Sequence, residues 1–207
     1  MKKWIAILLM AIAMPVWADA IDRMIESLAT TQTLSAEFSQ TTGTKGPRMR
    51  TASGSFYVSK PGLLRWEVKK PYPQLQILNT REFWMVDVDL AQASVRSVDA
   101  ANLSGIAALL LNTSVLTRDQ LMALYQFSNV GERDGVIWIT VTSQKPEPGI
   151  ARLMVGLDAD SMISRFEIHD RLGQITRVEL TRILKNIEID PQLFQYTPPR
   201  GMSVLRP

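Results

Sequence analysis

The chain has 207 residues, a formal net charge of +3, 46% hydrophobic residues and no cysteine. That length suits one domain with a sizeable core, and no disulfide helps to hold it. No basic cluster exceeds Lys69-Lys70 or the spaced arginines near the end, so nothing suggests a nucleic-acid binder.

Lys2 and Lys3 precede an apolar run from Trp4 to Val16, and Val16-Trp17-Ala18 offers a cleavage site before Asp19. Residues 1–18 therefore read as a secretory signal peptide. The run is shorter than the roughly 18–20 apolar residues a membrane span needs. Removing these 18 residues leaves 189, expected to form a single domain over 19–207, and takes the charge from +3 to +1. No Cys follows the leader to accept an acyl anchor, so a soluble protein of a Gram-negative periplasm is expected.

From Asp19 to Gln32, Ile21, Met24, Ile25 and Leu28 recur at helical spacing, with Asp19 or Asp22 near the start, which predicts an amphipathic helix. Leu34, Ala36 and Phe38 then alternate as in a strand, and Gly43–Arg50 reads as a loop or hairpin tip. Strands are predicted at Gly54–Lys60, Leu63–Lys69, Gln74–Asn79, Glu82–Asp87 and Ala93–Val98, broken by Pro-Gly and Pro-Tyr-Pro. Ile106, Leu109 and Leu110 suit a short helix. Leu121, Met122 and Tyr125 suit a second, capped by Thr117 or Asp119. Strands resume at Val136–Ser143, Ala151–Leu157, Ile163–Asp170 and Ile175–Ile187, before a last turn in Asp190–Gly201.

This pattern predicts an α+β fold: one curved antiparallel sheet of about ten strands or slightly more, with helices at the start and in the middle. An open sheet that large curls, and helices pressed on its concave face would close it. On the strand from Leu63, Leu64, Trp66 and Val68 share one face and Arg65 and Glu67 the other. The first set is expected inside the concavity and the second on the convex, solvated face. Met85, Met122 and Met154 are candidates for adaptable walls.

Catalytic patterns are missing. His169 is the only histidine and reads as a surface strand residue. There is no GxSxG, no second His and no Cys for a metal site, and no phosphate-binding Gly loop. Asp87–Gln92 lacks the central Gly and closing Glu of a calcium loop and reads as a turn. Neither an enzyme nor a cofactor is expected.

Three stretches carry a resemblance: Lys60–Leu78 (KPGLLRWEVKKPYPQLQIL), Phe83–Val98 (FWMVDVDLAQASVRSV) and Pro191–Val204 (PQLFQYTPPRGMSV). In order and spacing they resemble the outer-membrane lipoprotein carrier family, LolA. The resemblance implies a half-open β-barrel, closed by the N-terminal helix and mid-chain lid helices over an apolar cavity. It also implies acylated lipoprotein cargo taken from an inner-membrane ABC-type release complex and handed to an outer-membrane receptor lipoprotein. The receptor has a similar fold but needs a lipid-bearing Cys, so the carrier role is favoured, as a monomer.

Residues placed by this reading are Phe56, Val58, Leu64, Trp66, Val68 and Met85 in the cargo cavity, and Leu103, Ile106, Leu109 and Leu110 in the lid. Lys60 falls where the family has its lid-latching Arg. Leu64 replaces the family's Phe, Thr80-Arg81-Glu82 its Asp-Gly, and the lid Pro near Ile106-Ala107 is missing. Two other readings stand beside the carrier: a paralogue moving another acylated envelope molecule, and an envelope scaffold with a filled core.

Overall fold

A computed structural model describes residues 16–44, 49–98, 109–111, 116–144 and 149–206. The proposed signal peptide up to residue 15, Leu103 and Ile106 lie outside these residues. The sheet strands are β1 (Thr33–Gly43), β2 (Arg50–Ser59), β3 (Leu63–Lys70), β4 (Gln74–Leu78), β5 (Glu82–Asp87) and β6 (Gln92–Ser97), then β7 (Tyr125–Arg133), β8 (Val136–Ser143), β9 (Ile150–Leu157), β10 (Ile163–Asp170), β11 (Ile175–Lys185) and β12 (Ser203–Leu205). They form one twelve-stranded sheet in the order β12-β6-β5-β4-β3-β2-β1-β11-β10-β9-β8-β7. Every neighbour pair is antiparallel except β12 beside β6. Two runs of hairpins thus meet at β1, which pairs with β2 on one side and β11 on the other. The sheet curls, as its number of strands predicts, and does not close on itself.

The predicted bounds of β5, β8 and β10 match the structure. β7 and β12 were not predicted. In β7 the register shifts between Asn129 and Gly131, and Gly131 takes φ +109. That bulge breaks the alternation by which strands are recognised. Tyr125, read as helical, is the first residue of β7.

Helix α1 spans Val16–Thr30. Ala20, Met24, Ile25 and Leu28 are buried, making one face of the helix apolar. That face joins the concave core with Phe38, Phe56, Val58, Val155, Phe166 and Leu180. A helical turn at residues 109–111 adds three buried leucines, and helix α2 (Arg118–Leu124) adds Leu121. Thr117 caps α2 as expected, in a reciprocal capping box with Gln120.

The convex face is not uniformly solvated. Across β4–β6 it carries a second core of Leu75, Ile77, Trp84, Val86, Ala93 and Val95, covered by Tyr196, Met202 and Val204. A 3-10 turn at Pro191–Phe194 packs beside it, with Phe194 2% exposed. Arg65 donates to the carbonyl of Leu193 at 3.1 Å and pairs with Glu67 at 3.0 Å, both half-buried. The expectation of a solvated position for these two is therefore corrected. The covering segment lies 128 residues away in sequence, beyond what local alternation reports.

Candidate binding cavity

The strand register brings the predicted cavity residues to one face. Phe56, Trp66, Gln76 and Met85 are cross-strand partners in turn from β2 to β5. Phe56, Val58 and Leu64 are buried, and Trp66 and Val68 are half-buried against the same core. The Trp66 ring stacks on Phe38 with centroids 3.8 Å apart and meets Phe56 and Phe166 edge-on at 5.3 and 6.2 Å. Gly54 permits this crowding: a Cβ there would lie 1.8 Å from the Glu67 carbonyl oxygen and 3.0 Å from the Phe38 ring.

Met85 shares the row but not the burial. It lies 49% exposed on β5, between Gln76 of β4 and Ser94 of β6. Periodicity fixes a residue's face and says nothing about how far along the strand the cover extends. Met154 packs with Val136 and Trp138 on the convex face, and Met122 is exposed on α2. Neither lines the cleft.

Among the described residues, an apolar cleft of about 30 Å³ lies between α1 and the sheet. Phe56 and Val58 line it, together with Leu28, Leu110, Ile163, Phe166 and Leu180. The last three come from β10 and β11, which the sequence reading left out of the site. Leu64, Trp66 and Val68 belong to the adjoining packed core. A space of this size holds one or two waters, against roughly 300–1,000 Å³ for ordinary ligand pockets.

Lys60 sits at the edge of the cleft. Its Nζ donates to the carbonyl oxygen of Leu28 at 2.5 Å. Leu28 belongs to the last turn of α1, where carbonyls lack helical partners and the helix end is electronegative, so an ammonium group is well placed there. Burial pushes the Lys60 pKa down to about 8. The described hydrogen bond ties Lys60 to α1, and Leu110, expected in the lid, lines the same cleft. Lys185, which pairs with Leu34 at the same end of the sheet, also lines the cleft.

His169 is a surface strand residue on β10, as expected, with its side chain 21% exposed and engaged. Its ring contacts Glu167 at 3.2 Å, and Glu167 is 7% exposed. The same carboxylate receives Arg177 at 3.0 Å and Arg133 at 3.5 Å. Burial pushes the Glu167 pKa up, but hydrogen bonds from Arg177 and His169 and the charges of Arg177 and Arg133 outweigh it and hold the group below the ordinary carboxylate value. This network lies on the convex face, away from the cleft. Its residue types at alternate positions gave no warning that a carboxylate would be buried there. Among the described residues no three His, Cys, Asp or Glu side chains gather as a metal site.

An unclosed half-barrel with an apolar interior, roofed by helices, defines a class of proteins built around a cleft. Residues 29–197 match the family described as outer membrane lipoprotein carrier protein LolA, and the chain belongs to that family. An outer-membrane lipoprotein carrier protein of Dechloromonas aromatica (strain RCB) is 32% identical over 189 residues, spanning 91% of this chain and 88% of that protein. One from Legionella pneumophila (strain Corby) is 31% identical over 210 residues and spans both chains fully. Among solved structures, an uncharacterized conserved protein from Thermus thermophilus shares the fold, with TM-score 0.52 and 17% identity over 92% of this chain and 98% of that one.

Proposed function

We propose that this protein is a soluble periplasmic carrier, without catalytic activity, that shelters lipoprotein acyl chains beneath its helical cover. It takes its cargo from an inner-membrane ABC-type release complex and passes it to an outer-membrane receptor lipoprotein. Each methylene kept out of water is worth about 0.8 kcal/mol, so a multiply acylated protein needs shelter to cross an aqueous compartment. The observation that carries this reading is the cover itself: α1 and residues 109–111 close an apolar sheet face through side-chain packing, with no strand pairing to the sheet. Cargo enters by lifting that cover, because the closed cleft is too small for an acyl chain. Phe56, Val58, Leu64, Trp66 and Val68 then form the wall, with Met85 at its open end. Leu109 and Leu110 move with the cover, and Lys60 latches it.

The small cleft also favours a second reading, an envelope scaffold whose core stays filled. Tryptophan emission separates the two. Trp66 lies on the concave wall, while Trp84 and Trp138 lie on the convex side. An acyl lipid added below its micelle concentration shifts or quenches emission saturably in a carrier, and Trp66→Phe removes most of the response. No binding of any acyl lipid, by emission or directly, leaves the scaffold. Mass spectrometry of lipid carried by the protein from its own compartment identifies the cargo and tests the paralogue alternative.

A further inference from the structure

The two ends of the sheet carry different turns. At one end, the β1–β2, β3–β4, β5–β6 and β10–β11 connections each present a large apolar side chain to solvent. Met49 is 39% exposed, Tyr72 70%, Val88 51%, Leu90 65% and Leu172 90%. At the other end the turns run through Gly62, Asn79–Arg81, Asp134-Gly135, Asp158–Ser161 and Asn186–Glu188. Among the described residues of those turns, Ile187 at 36% is the one large apolar side chain with comparable exposure. Turns ordinarily use Gly, Asn, Asp and Ser. A single exposed leucine needs no explanation, but apolar tips on four hairpins among the described residues of one end form a pattern.

These tips make one rim. The Val88 N–H donates to the Pro73 carbonyl at 3.2 Å, joining the β5–β6 and β3–β4 turns. Arg50 donates to Gln174 at 3.4 Å, joining β1–β2 to β10–β11. Exposed bases stand next to the apolar tips: Arg50 after Met49, Lys69 and Lys70 before Tyr72, Arg171 before Leu172. Of the rim acids among the described residues, Asp87 accepts from the Leu90 N–H, and Asp170 from those of Leu172 and Gln174, so both fold back into their own turns; Asp89 is exposed.

We infer that this rim docks on a bilayer surface containing anionic lipid, with the apolar tips entering the headgroup region and the bases meeting lipid phosphates. Isolated apolar points separated by charges suit a headgroup layer better than a protein partner, whose interface needs a contiguous packed patch. The rim lies at the opposite end of the strands from Lys60 and Lys185, so docking turns the Lys60 end of the cleft away from the membrane.

The test is flotation of the exported protein with vesicles of phosphatidylcholine alone and of phosphatidylcholine with phosphatidylglycerol. Mass spectrometry reads the N-terminus, so that any retained leader is common to all variants. Wild type floats with both, and more strongly with the anionic vesicles. Tyr72→Ser/Leu90→Ser/Leu172→Ser weakens binding at least about tenfold on both. Lys69→Gln/Lys70→Gln weakens it by about tenfold on anionic vesicles only. Circular dichroism and melting confirm that these exposed turn variants fold, and soluble acyl-lipid binding stays unchanged, which keeps this result separate from the carrier reading. Wild type that never floats overturns the inference. So does equal flotation of wild type and the triple variant, which assigns membrane contact to the cleft or leader. A concentration-dependent dimer lost in the triple variant, without flotation, assigns the rim to self-association and also overturns it.

Discussion

The sheet has a cover on each face, and the two are attached differently. On the convex side, the C-terminal segment is joined by backbone. β12 pairs with β6, the Ser203 N–H donates to the Ala91 carbonyl at 2.9 Å, and the carbonyls of Leu193 and Phe194 accept from Arg65 and Asn79. On the concave side, α1 and residues 109–111 pair with no strand and rest on leucine, methionine and aromatic side chains. Described polar ties hold the last turn of α1 to the sheet: Lys60 donates to the Leu28 carbonyl, and the Asn186 side chain donates to the Thr30 carbonyl at 3.2 Å. Backbone pairing fixes direction and register together. Apolar contact is non-directional and re-forms equally well around another apolar object. On the proposed function, the outer cover stays in place and the inner one exchanges its contacts for a guest's.

The largest expected effect tests the permanence of the outer cover. Phe194 is 2% exposed, and Tyr196 leans on Trp84 with ring centroids 5.3 Å apart. Phe194→Ala should cost roughly 3–5 kcal/mol in denaturant unfolding. Acyl-lipid affinity of the folded fraction should stay within twofold, since the change lies across the sheet from the cleft. A large affinity change with little loss of stability would reverse the roles given to the two covers.

Leu28 gives the matching test of the inner cover. Leu28→Ala should cost roughly 2–3 kcal/mol, towards the low end for a buried leucine because the cleft beside it lets neighbours relax. Stopped-flow tryptophan emission should show faster acyl-lipid entry. Slower entry, or none, would mean that α1 does not lift.

How legible these covers were in the sequence follows from the range of the signal. Alternation placed β5, β8 and β10 to the residue and put Phe56, Val58, Leu64 and Trp66 on one face, because a strand's period is a local property. It missed β7, where the bulge at Asn129–Gly131 breaks the period. It misjudged Arg65, whose covering carbonyl comes from Leu193, and it left Ile163, Phe166 and Leu180 out of the site because their wall meets β2 only through the curl of the sheet. Lys60 was singled out through a family position. Its described partner, a helix-end carbonyl, carries no side-chain signature that a sequence could display.

A third test concerns the convex network and should leave the cleft untouched. Glu167→Gln takes the charge from a buried acceptor of Arg177, Arg133 and His169, and should cost about 1–3 kcal/mol at neutral pH. The folded pKa lies below the unfolded one, so wild-type stability from this group is present above the ordinary carboxylate value of 4.5 and lost as pH falls below it. Melting scans should therefore converge for wild type and variant in acid, with acyl-lipid binding equal at pH 7.

The smallest effect bears most directly on the inner cover. Folding lowers the Lys60 pKa from 10.5 to about 8. Between those values the unfolded chain holds more protons than the folded one, so deprotonation favours the fold. Against Lys60→Met, which keeps an unbranched apolar stem, wild-type stability should rise from pH 8 to pH 10.5 and stay level below pH 8. Solvent still reaches part of the group, so the rise should be under about 1 kcal/mol. Tyr196, pushed up by burial, titrates in both proteins and cancels in the difference. Thermal melts across pH, subtracted pairwise, read this out. A rising difference means that the ammonium is held at a cost beneath the cover, and that Lys60 loosens as readily as it latches. A flat difference returns Lys60 to solvent and leaves apolar packing and the Asn186 bond as the hold on α1. A falling difference means that the charge at the helix end outweighs its burial, which would make Lys60 a clamp and the inner cover more permanent than its lack of strand pairing implies.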